Sequence, residues 1–352
     1  MDARPVKVLV IDDSALMRKL LRALLERDGG IEVVGTAQDP FDAREKIKQL
    51  CPDVLTLDIE MPKMDGLTFL RNLMRLRPMP VVMVSSLTQR GADATLAALQ
   101  LGAFDFVPKP KIDIQEGLEE LAAVLAEKVK AASTWRPAVR SEESLARAGA
   151  ARAARTITEL GTTDRLIAIG SSTGGTEAVA QILAALPPDA PGVVIAQHIP
   201  EVFSQRWAER MDSESAIAVA EAKDGAPILI GHAYVAPGGR HLRVERSGAK
   251  YFCRIGLDPP VNRHRPSVDV LFRSVAAEVG HNAVGLILTG MGSDGADGLG
   301  EMLRRGSPTI AQDRATSVVW GMPGEAIKRG NAAEVLPLDQ IASRALALAR
   351  GH

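Results

Sequence analysis

The chain has 352 residues, 46% of them hydrophobic and 24% charged, and a formal net charge of −1. That length holds two domains with a substantial core in each, and near-neutrality excludes a protein that grips nucleic acid mainly by neutralising phosphates. The two cysteines, Cys51 and Cys253, lie far apart, which excludes a disulfide framework and fits a reducing compartment.

The start, Met1-Asp-Ala-Arg-Pro-Val-Lys7, runs straight into a strand without a signal-peptide pattern. No apolar run approaches bilayer-spanning length, so the expectation is a cytoplasmic protein with no membrane insertion. From there, short apolar runs alternate with helical periodicity. Strands are predicted at Val6–Ile11, Ile31–Ala37, Val54–Leu57, Val81–Val84 and Phe104–Val107. Helices are predicted at Ser14–Leu25, Pro40–Leu50, Gly66–Leu76, Ala92–Leu101 and Glu116–Val129. Alternation of this kind predicts a parallel sheet covered on both faces, with functional groups at the carboxyl ends of its strands.

Those ends carry Asp12 and Asp13, Asp58, Ser85 and Lys109. Three converging carboxylates repel one another unless a hard divalent cation such as Mg²⁺ bridges them. An ammonium from Lys109 and a hydroxyl from Ser85 suit a phosphoryl group at the same place. Each acid taken alone reads equally as a helix cap; their common register is what favours a site.

Leu57-Asp-Ile-Glu-Met-Pro-Lys-Met-Asp-Gly66, with Asp12-Asp13 before it and Val107-Pro-Lys-Pro110 after it, resembles the receiver domain of two-component response regulators. The resemblance covers roughly the first 125 residues. It implies that Asp58 accepts a phosphoryl group from a partner histidine kinase. Asp12, Asp13 and Asp58 would hold Mg²⁺, with the backbone carbonyl of Glu60 as a further ligand. Ser85 and Lys109 would contact the phosphoryl group, and Phe106 matches the family's switch aromatic, with Phe in place of Tyr.

Between about Lys130 and Leu160, Ala, Arg, Ser and Glu dominate and Trp135-Arg-Pro137 breaks the preceding helix. Arg136, Arg140, Arg147, Arg152 and Arg155 are interspersed with Glu142 and Glu143, a pattern that favours a solvated tether over a nucleic-acid arm. The expected division is a receiver at 1–128, a linker at 129–162 and a catalytic domain at 163–352.

After Asp164 the alternation resumes. Strands are predicted at Leu166–Ile169, Gly192–Gln197 and Val284–Leu288, and helices at Thr176–Leu186, Glu201–Met211 and Ser267–Val279. Residues 216–260 are richer in Gly, Pro and short strands. The predicted fold is α/β throughout, two doubly wound parallel-sheet domains: one receiver-like and flavodoxin-type, the other Rossmann-like.

Three strands of the second domain deliver Ser171/Ser172, His198 and Asp294 to one sheet edge. Acyl transfer needs a hydroxyl, an imidazole to take its proton and a carboxylate to orient the imidazole. The order Ser…His…Asp differs from the α/β hydrolases'. Helix caps at the serines and at Asp294, with His198 in a loop, are the plainer alternative. Gly170-Ser-Ser-Thr-Gly-Gly175 also invites a phosphate-loop reading, but it lacks the dinucleotide glycine spacing and the lysine of a P-loop.

Ile169-Gly-Ser-Ser-Thr-Gly-Gly-Thr176, Ala196-Gln-His-Ile-Pro200, Tyr234-Val-Ala-Pro-Gly-Gly239 and Leu288-Thr-Gly-Met-Gly-Ser-Asp-Gly-Ala296 together resemble the chemotaxis protein-glutamate methylesterases, the CheB family. With the receiver in front, the resemblance covers nearly the whole chain. The family's Ala-Ser-Thr-Gly-Gly pattern falls on Ser171-Ser172-Thr-Gly-Gly, which implies Ser172 as nucleophile and a serine, Ser171, where the family has alanine; physics alone does not choose between them. It further implies His198 as general base and Asp294 as its orienting carboxylate.

The implied activity is hydrolysis of γ-glutamyl methyl esters on methyl-accepting chemoreceptors, releasing methanol, and deamidation of receptor glutamines. The backbone near Thr173 and Met291 is the expected source of oxyanion donors. No cofactor or metal is expected in this half. Control is expected through the receiver, held at high effective concentration by the tether and released on phosphorylation. A phosphorylation-dependent docking module without activity is the alternative, while a DNA-binding regulator is disfavoured by the absence of a helix-turn-helix pattern.

Asn262-Arg-His-Arg-Pro-Ser267 offers Arg263, His264 and Arg265 as substrate contacts, or else a loop whose Ser267 caps the next helix. His232, His241 and His281 lack zinc-ligand spacing.

Overall fold

A run such as Val6-Lys-Val-Leu-Val-Ile11 has no continuous polar face to give to water, and its last four residues are buried, as a strand between two helical layers must be. The computed structural model describes residues 4–86, 88–109, 118–135 and 163–351, and the chain divides into two compact units, Met1–Arg140 and Ser141–His352.

The first unit runs β1 (Val6–Ile11), α1 (Ala15–Leu25), β2 (Ile31–Ala37), α2 (Pro40–Leu50), β3 (Val54–Asp58), α3 (Gly66–Leu76), β4 (Val81–Ser85), α4 (Gln89–Gln100), β5 (Asp105–Pro108) and α5 (Leu118–Thr134). Its sheet is parallel in the order β2-β1-β3-β4-β5. The order reverses at β1 and β3, so the residues following those strands flank the crevice where such sheets bind ligands. Helix starts are fixed locally: Ser14 caps α1, Asp39 caps α2 and Asp65 caps α3, each side chain accepting a backbone N–H of the first turn. Helix α5 continues to Thr134, into the stretch read from sequence as tether, and Trp135 meets Phe104 edge-on at 5.5 Å. The basic residues of the expected linker, from Arg136 to Arg155, lie outside the described residues, as does Pro110.

The second unit runs β6 (Leu166–Ser171), α6 (Gly175–Ala185), β7 (Gly192–Gln197), α7 (Glu201–Glu214), β8 (Ala218–Glu221), β9 (His232–Val235), β10 (His241–Ser247), β11 (Lys250–Gly256), α8 (Val268–Glu278), β12 (Ala283–Ile287), α9 (Ala296–Arg304), β13 (Thr309–Gln312), α10 (Met322–Lys328), β14 (Glu334–Leu336) and α11 (Leu338–Arg350). Seven parallel strands lie in the order β14-β13-β12-β6-β7-β9-β8, and β10 and β11 form a separate antiparallel hairpin. The residues after α9 build β13, α10, β14 and α11 and complete one side of the sheet, elements that the sequence analysis does not predict. Trp207, Phe203 and Phe272 are fully buried, and truncating any one would cost about 3–5 kcal/mol.

Strands β12, β6 and β7 are adjacent at the centre. The direction of progress reverses between β6 and β12, which makes their carboxyl ends a second switch-point crevice. Two glycines let a helix press close there. A Cβ on Gly170 would collide with Val268 Cγ1 and approach Phe272 Cζ to 3.0 Å, and one on Gly295 would also collide with Val268. The missing side chains bring the N-terminus of α8 against the strand ends.

Candidate functional site

Ser171 and Ser172 leave β6 in opposite senses. Ser171 is fully buried and its Oγ donates to Gln197 Oε1 at 2.5 Å. The Gln197 amide in turn donates to the carbonyls of Ser172 at 2.8 Å and His198 at 3.1 Å. Ser171 is thereby committed to holding two strand ends together, whereas Ser172 Oγ has no hydrogen-bond partner among the described residues. Ser171 and Gln197 are register partners, so Ser172 and His198 emerge side by side from neighbouring strands.

His198 Nε2 meets Asp294 Oδ2 at 2.8 Å. Its other ring nitrogen, Nδ1, is buried and has no hydrogen-bond partner, which leaves Nδ1 as the atom able to take a proton. Asp294 does not cap α9, the helix that follows it. Its carboxylate faces the start of α8: Oδ2 also accepts the Val268 N–H at 2.7 Å, while Oδ1 accepts from Ser267 Oγ at 2.8 Å, Asn262 Nδ2 at 2.8 Å and the Asp269 N–H at 3.3 Å. Burial works against the charge, but His198, the Asn262 amide and the Val268 N–H outweigh it and hold this carboxyl well below the ordinary carboxylate range. Asp269, beside it, is pushed up by burial and by the Asp294 charge, against the Gly298 N–H and Asn262.

Around Ser172 the backbone is tied to the loop that follows β12. Ser172 N–H donates to the Thr289 carbonyl at 3.0 Å, and Thr289 Oγ1 donates to the Thr173 carbonyl at 2.9 Å. A Cβ on Gly290 would lie 2.7 Å from Ser172 Cβ, so glycine is what lets the 289–292 loop pass against the serine. The N–H groups of Thr173 and Met291 have no acceptor among the described residues. Sequence reasoning missed the segment that seals this arrangement. Val318 packs on Gly174, Trp320 bridges to Gly290, and Gly321 N–H donates to the Gly290 carbonyl at 3.0 Å. The only signal in the sequence is Gly321 followed by Met322-Pro323, a helix start.

In the Asn262–Ser267 stretch the structure shows the helix cap. Ser267 caps α8, accepting from the Val270 N–H at 3.4 Å, and donates to Asp294 as well. Arg265 reaches the carbonyls of Leu257 and Asp258 at 3.1 and 3.2 Å. Arg263 is exposed. Asn262 and His264 turn towards Asp294 and His198.

In the first unit, the carboxylates of Asp12, Asp13 and Asp58 have oxygens within 4.8 Å of one another. Lys109 Nζ donates to Asp58 Oδ2 at 2.6 Å and pairs with Asp12 Oδ2 at 3.1 Å. That Asp12 oxygen is buried, with the Lys109 ammonium beside it. Burial pushes the Asp58 carboxyl up to about 6, against the pull of Lys109 and with the Asp12 charge adding to the rise. An all-oxygen set, with Asp12 and Asp58 buried and Asp13 at the surface, fits a hard divalent cation. The Glu60 N–H lies 3.3 Å from Asp58 Oδ1, and its carbonyl accepts no hydrogen bond among the described residues. Ser85 Oγ is turned to the Gly91 carbonyl at 3.3 Å, not to Asp58. Phe106 is buried, with Lys128 Nζ 5.4 Å from its ring centre.

Cys51 and Cys253 are both free, and burial pushes the Cys253 thiol up to about 12, leaving it inert. Among the described residues no helix is long and apolar enough to cross a membrane.

Comparison with known proteins matches residues 8–122 to the response regulator receiver domain and residues 167–345 to the CheB methylesterase domain. The chain belongs to the CheB methylesterase family. It is 60% identical to the protein-glutamate methylesterase/protein-glutamine glutaminase 1 of Xanthomonas euvesicatoria pv. vesicatoria, across 98% of this chain and 97% of that protein. It is 53% identical to the protein-glutamate methylesterase/protein-glutamine glutaminase of Hydrogenovibrio crunogenus, across 97% of this chain and 98% of that protein. The crystal structure of the Thermotoga maritima CheB methylesterase catalytic domain, at 36% identity, aligns with a TM-score of 0.51 over 53% of this chain and 98% of that one. The chain is therefore a hydrolase fused to a response-regulator receiver.

Proposed function

We propose that this protein hydrolyses γ-glutamyl methyl esters on methyl-accepting chemoreceptors, releasing methanol, and deamidates receptor glutamines by the same route. Ser172 Oγ attacks the ester or amide carbonyl while His198 Nδ1 takes its proton. Asp294, bonded to Nε2, fixes the tautomer and stabilises the imidazolium. The N–H groups of Thr173 and Met291 receive the oxyanion, a contribution of about 3 kcal/mol for each donor. His198 then returns the proton to methanol or ammonia, and activates the water that clears the acyl-enzyme. The observation that carries this reading is the His198 ring, anchored at Nε2 by Asp294 and without a hydrogen bond at Nδ1, at the strand end adjoining that of Ser172.

The receiver supplies control. Asp58 accepts a phosphoryl group from a chemotaxis histidine kinase, and Asp12, Asp13 and Asp58, with the Glu60 carbonyl, would hold Mg²⁺, whose positive charge would offset the negative charge of the entering phosphoryl group. Lys109 and Ser85 contact that group, and Phe106 follows Ser85 when the hydroxyl shifts. The reading places the protein in the cytoplasm, with the receiver at 1–128 tethered by 129–162 to the catalytic domain at 163–352.

The test is methanol release from methylated receptor fragments, with and without Mg²⁺ and a small-molecule phosphodonor. Release that the donor stimulates, that vanishes in Ser172→Ala, and that loses its stimulation in Asp58→Asn supports enzyme and switch together. Release that survives Ser172→Ala rejects the nucleophile.

A further inference from the structure

The turn from Val261 to His264 lies on the His198–Asp294 pair, and none of its residues is assigned a part in the reaction above. Val261 and His264 exchange two backbone hydrogen bonds, at 2.9 and 3.1 Å. Between them Asn262 and Arg263 have φ of +52° and +66°. Both central residues are left-handed, as a two-residue type I′ turn requires. Asparagine suits that conformation; arginine does not, so the turn holds a geometry that its second residue disfavours.

What the geometry delivers is two contacts on one catalytic pair. Asn262 Nδ2 lies 2.7 Å from Asp269 Oδ2 and 2.8 Å from Asp294 Oδ1. Both partners are carboxylates, which accept only, so the atom between them is the NH₂ group, giving one proton to each. His264 lays its ring on the His198 ring, with centroids 3.6 Å apart and planes within 12°. One face of the general base is thus covered by a flat partner, while its edge is held by a carboxylate that Asn262 itself holds.

We propose that this turn is a two-point clamp on the acid–base pair, with Asn262 and His264 as positioning residues. Asn262 keeps Asp294 aimed at His198 Nε2 and separates it from the like charge of Asp269. His264 fixes the plane of the imidazole, so that Nδ1 stays on the line of proton transfer as the ring charges and discharges. The proposal rests on the assignment of Ser172, His198 and Asp294 made above.

The test uses the full chain and methylated receptor fragments, measuring kcat, KM and thermal midpoint for each variant beside Ser172→Ala. Asn262→Gly keeps the left-handed turn and removes only the amide. It is expected to lower kcat by about 10- to 100-fold with KM within about twofold and the midpoint close to wild type. His264→Ala is expected to lower kcat by about tenfold, and His264→Phe, which restores a flat ring, to recover most of that loss. An Asn262→Gly variant within about twofold of wild type in kcat, or a His264→Phe variant no better than His264→Ala, would overturn the clamp while Ser172→Ala stays inert. A Ser172→Ala variant as active as wild type overturns the triad and the clamp with it.

Discussion

At the scale of single residues, the decisive object is the Asp294 carboxylate, which accepts from Ser267, Asn262, Val268, Asp269 and His198 and donates to none of them. An amide cannot replace it, because an NH₂ group would face donors. Asp294→Asn is therefore expected to lower kcat by about 10³- to 10⁴-fold through loss of the imidazole's orientation. It is also expected to destabilise the second unit by about 3 kcal/mol through the broken buried network. The sign with pH follows from the depressed folded value. The carboxylate's contribution is complete above the ordinary unfolded value of about 4 and fades as pH falls below it. Denaturant titrations of wild type and variant should thus differ most at neutral pH and converge in acid. A gap that stays constant to pH 3 would contradict the account.

At the scale of elements, the site depends on how closely α8 approaches β6. Gly170 is the contact point, since any Cβ there meets Val268. Gly170→Ala is expected to cost about 1–3 kcal/mol by overpacking. It should also lower kcat, because moving the N-terminus of α8 takes the Val268 and Asp269 N–H groups away from Asp294. Shaving the opposing side chain tests the cause directly. In the double variant Gly170→Ala/Val268→Ala the two effects should be less than additive, with activity recovered relative to Gly170→Ala alone. Strict additivity would place the glycine's importance in backbone freedom instead of in this contact.

At the scale of the whole molecule, two α/β units each place charged groups at a switch point, but they handle charge oppositely. The second unit surrounds its carboxylate with donors; the first leaves Asp58 raised to about 6 among other acids. A raised carboxyl means that the folded state binds the proton more tightly than the unfolded chain. Ionised Asp58 therefore weighs against the fold by about 3 kcal/mol above pH 6, and that burden shrinks as pH falls towards 4. A divalent cation that binds the ionised cluster stabilises the folded state by mass action. In scanning calorimetry of the full chain, MgCl₂ is expected to raise the midpoint of receiver unfolding by a few degrees at pH 8. It should do much less at pH 5, and Asp58→Asn should lose most of the shift. Equal shifts at both pH values would put the cation elsewhere.

The sequence by itself determined the alternation of strands and helices, the two parallel sheets and the groups at their carboxyl ends. These are read from patterns a few residues long: apolar runs, helical periodicity, and an Asp, Ser or Gly where a strand stops. The tertiary structure alone decided where those groups point. In the bare sequence Ser171 and Ser172 are equivalent, and only the strand register with Gln197 turns one inward. Asp294 could have capped its own helix; the notch at Gly170 and Gly295 offers it the start of α8 instead. Asn262 and His264 read as surface residues of a basic loop until a tight turn places them on Asp294 and His198. The sealing segment from Ser317 to Gly321 carries no chemical signature, because its role is made of backbone contacts to glycines far along the chain. A local pattern fixes which face of an element is buried, but a side chain's partners are fixed only when distant segments pack.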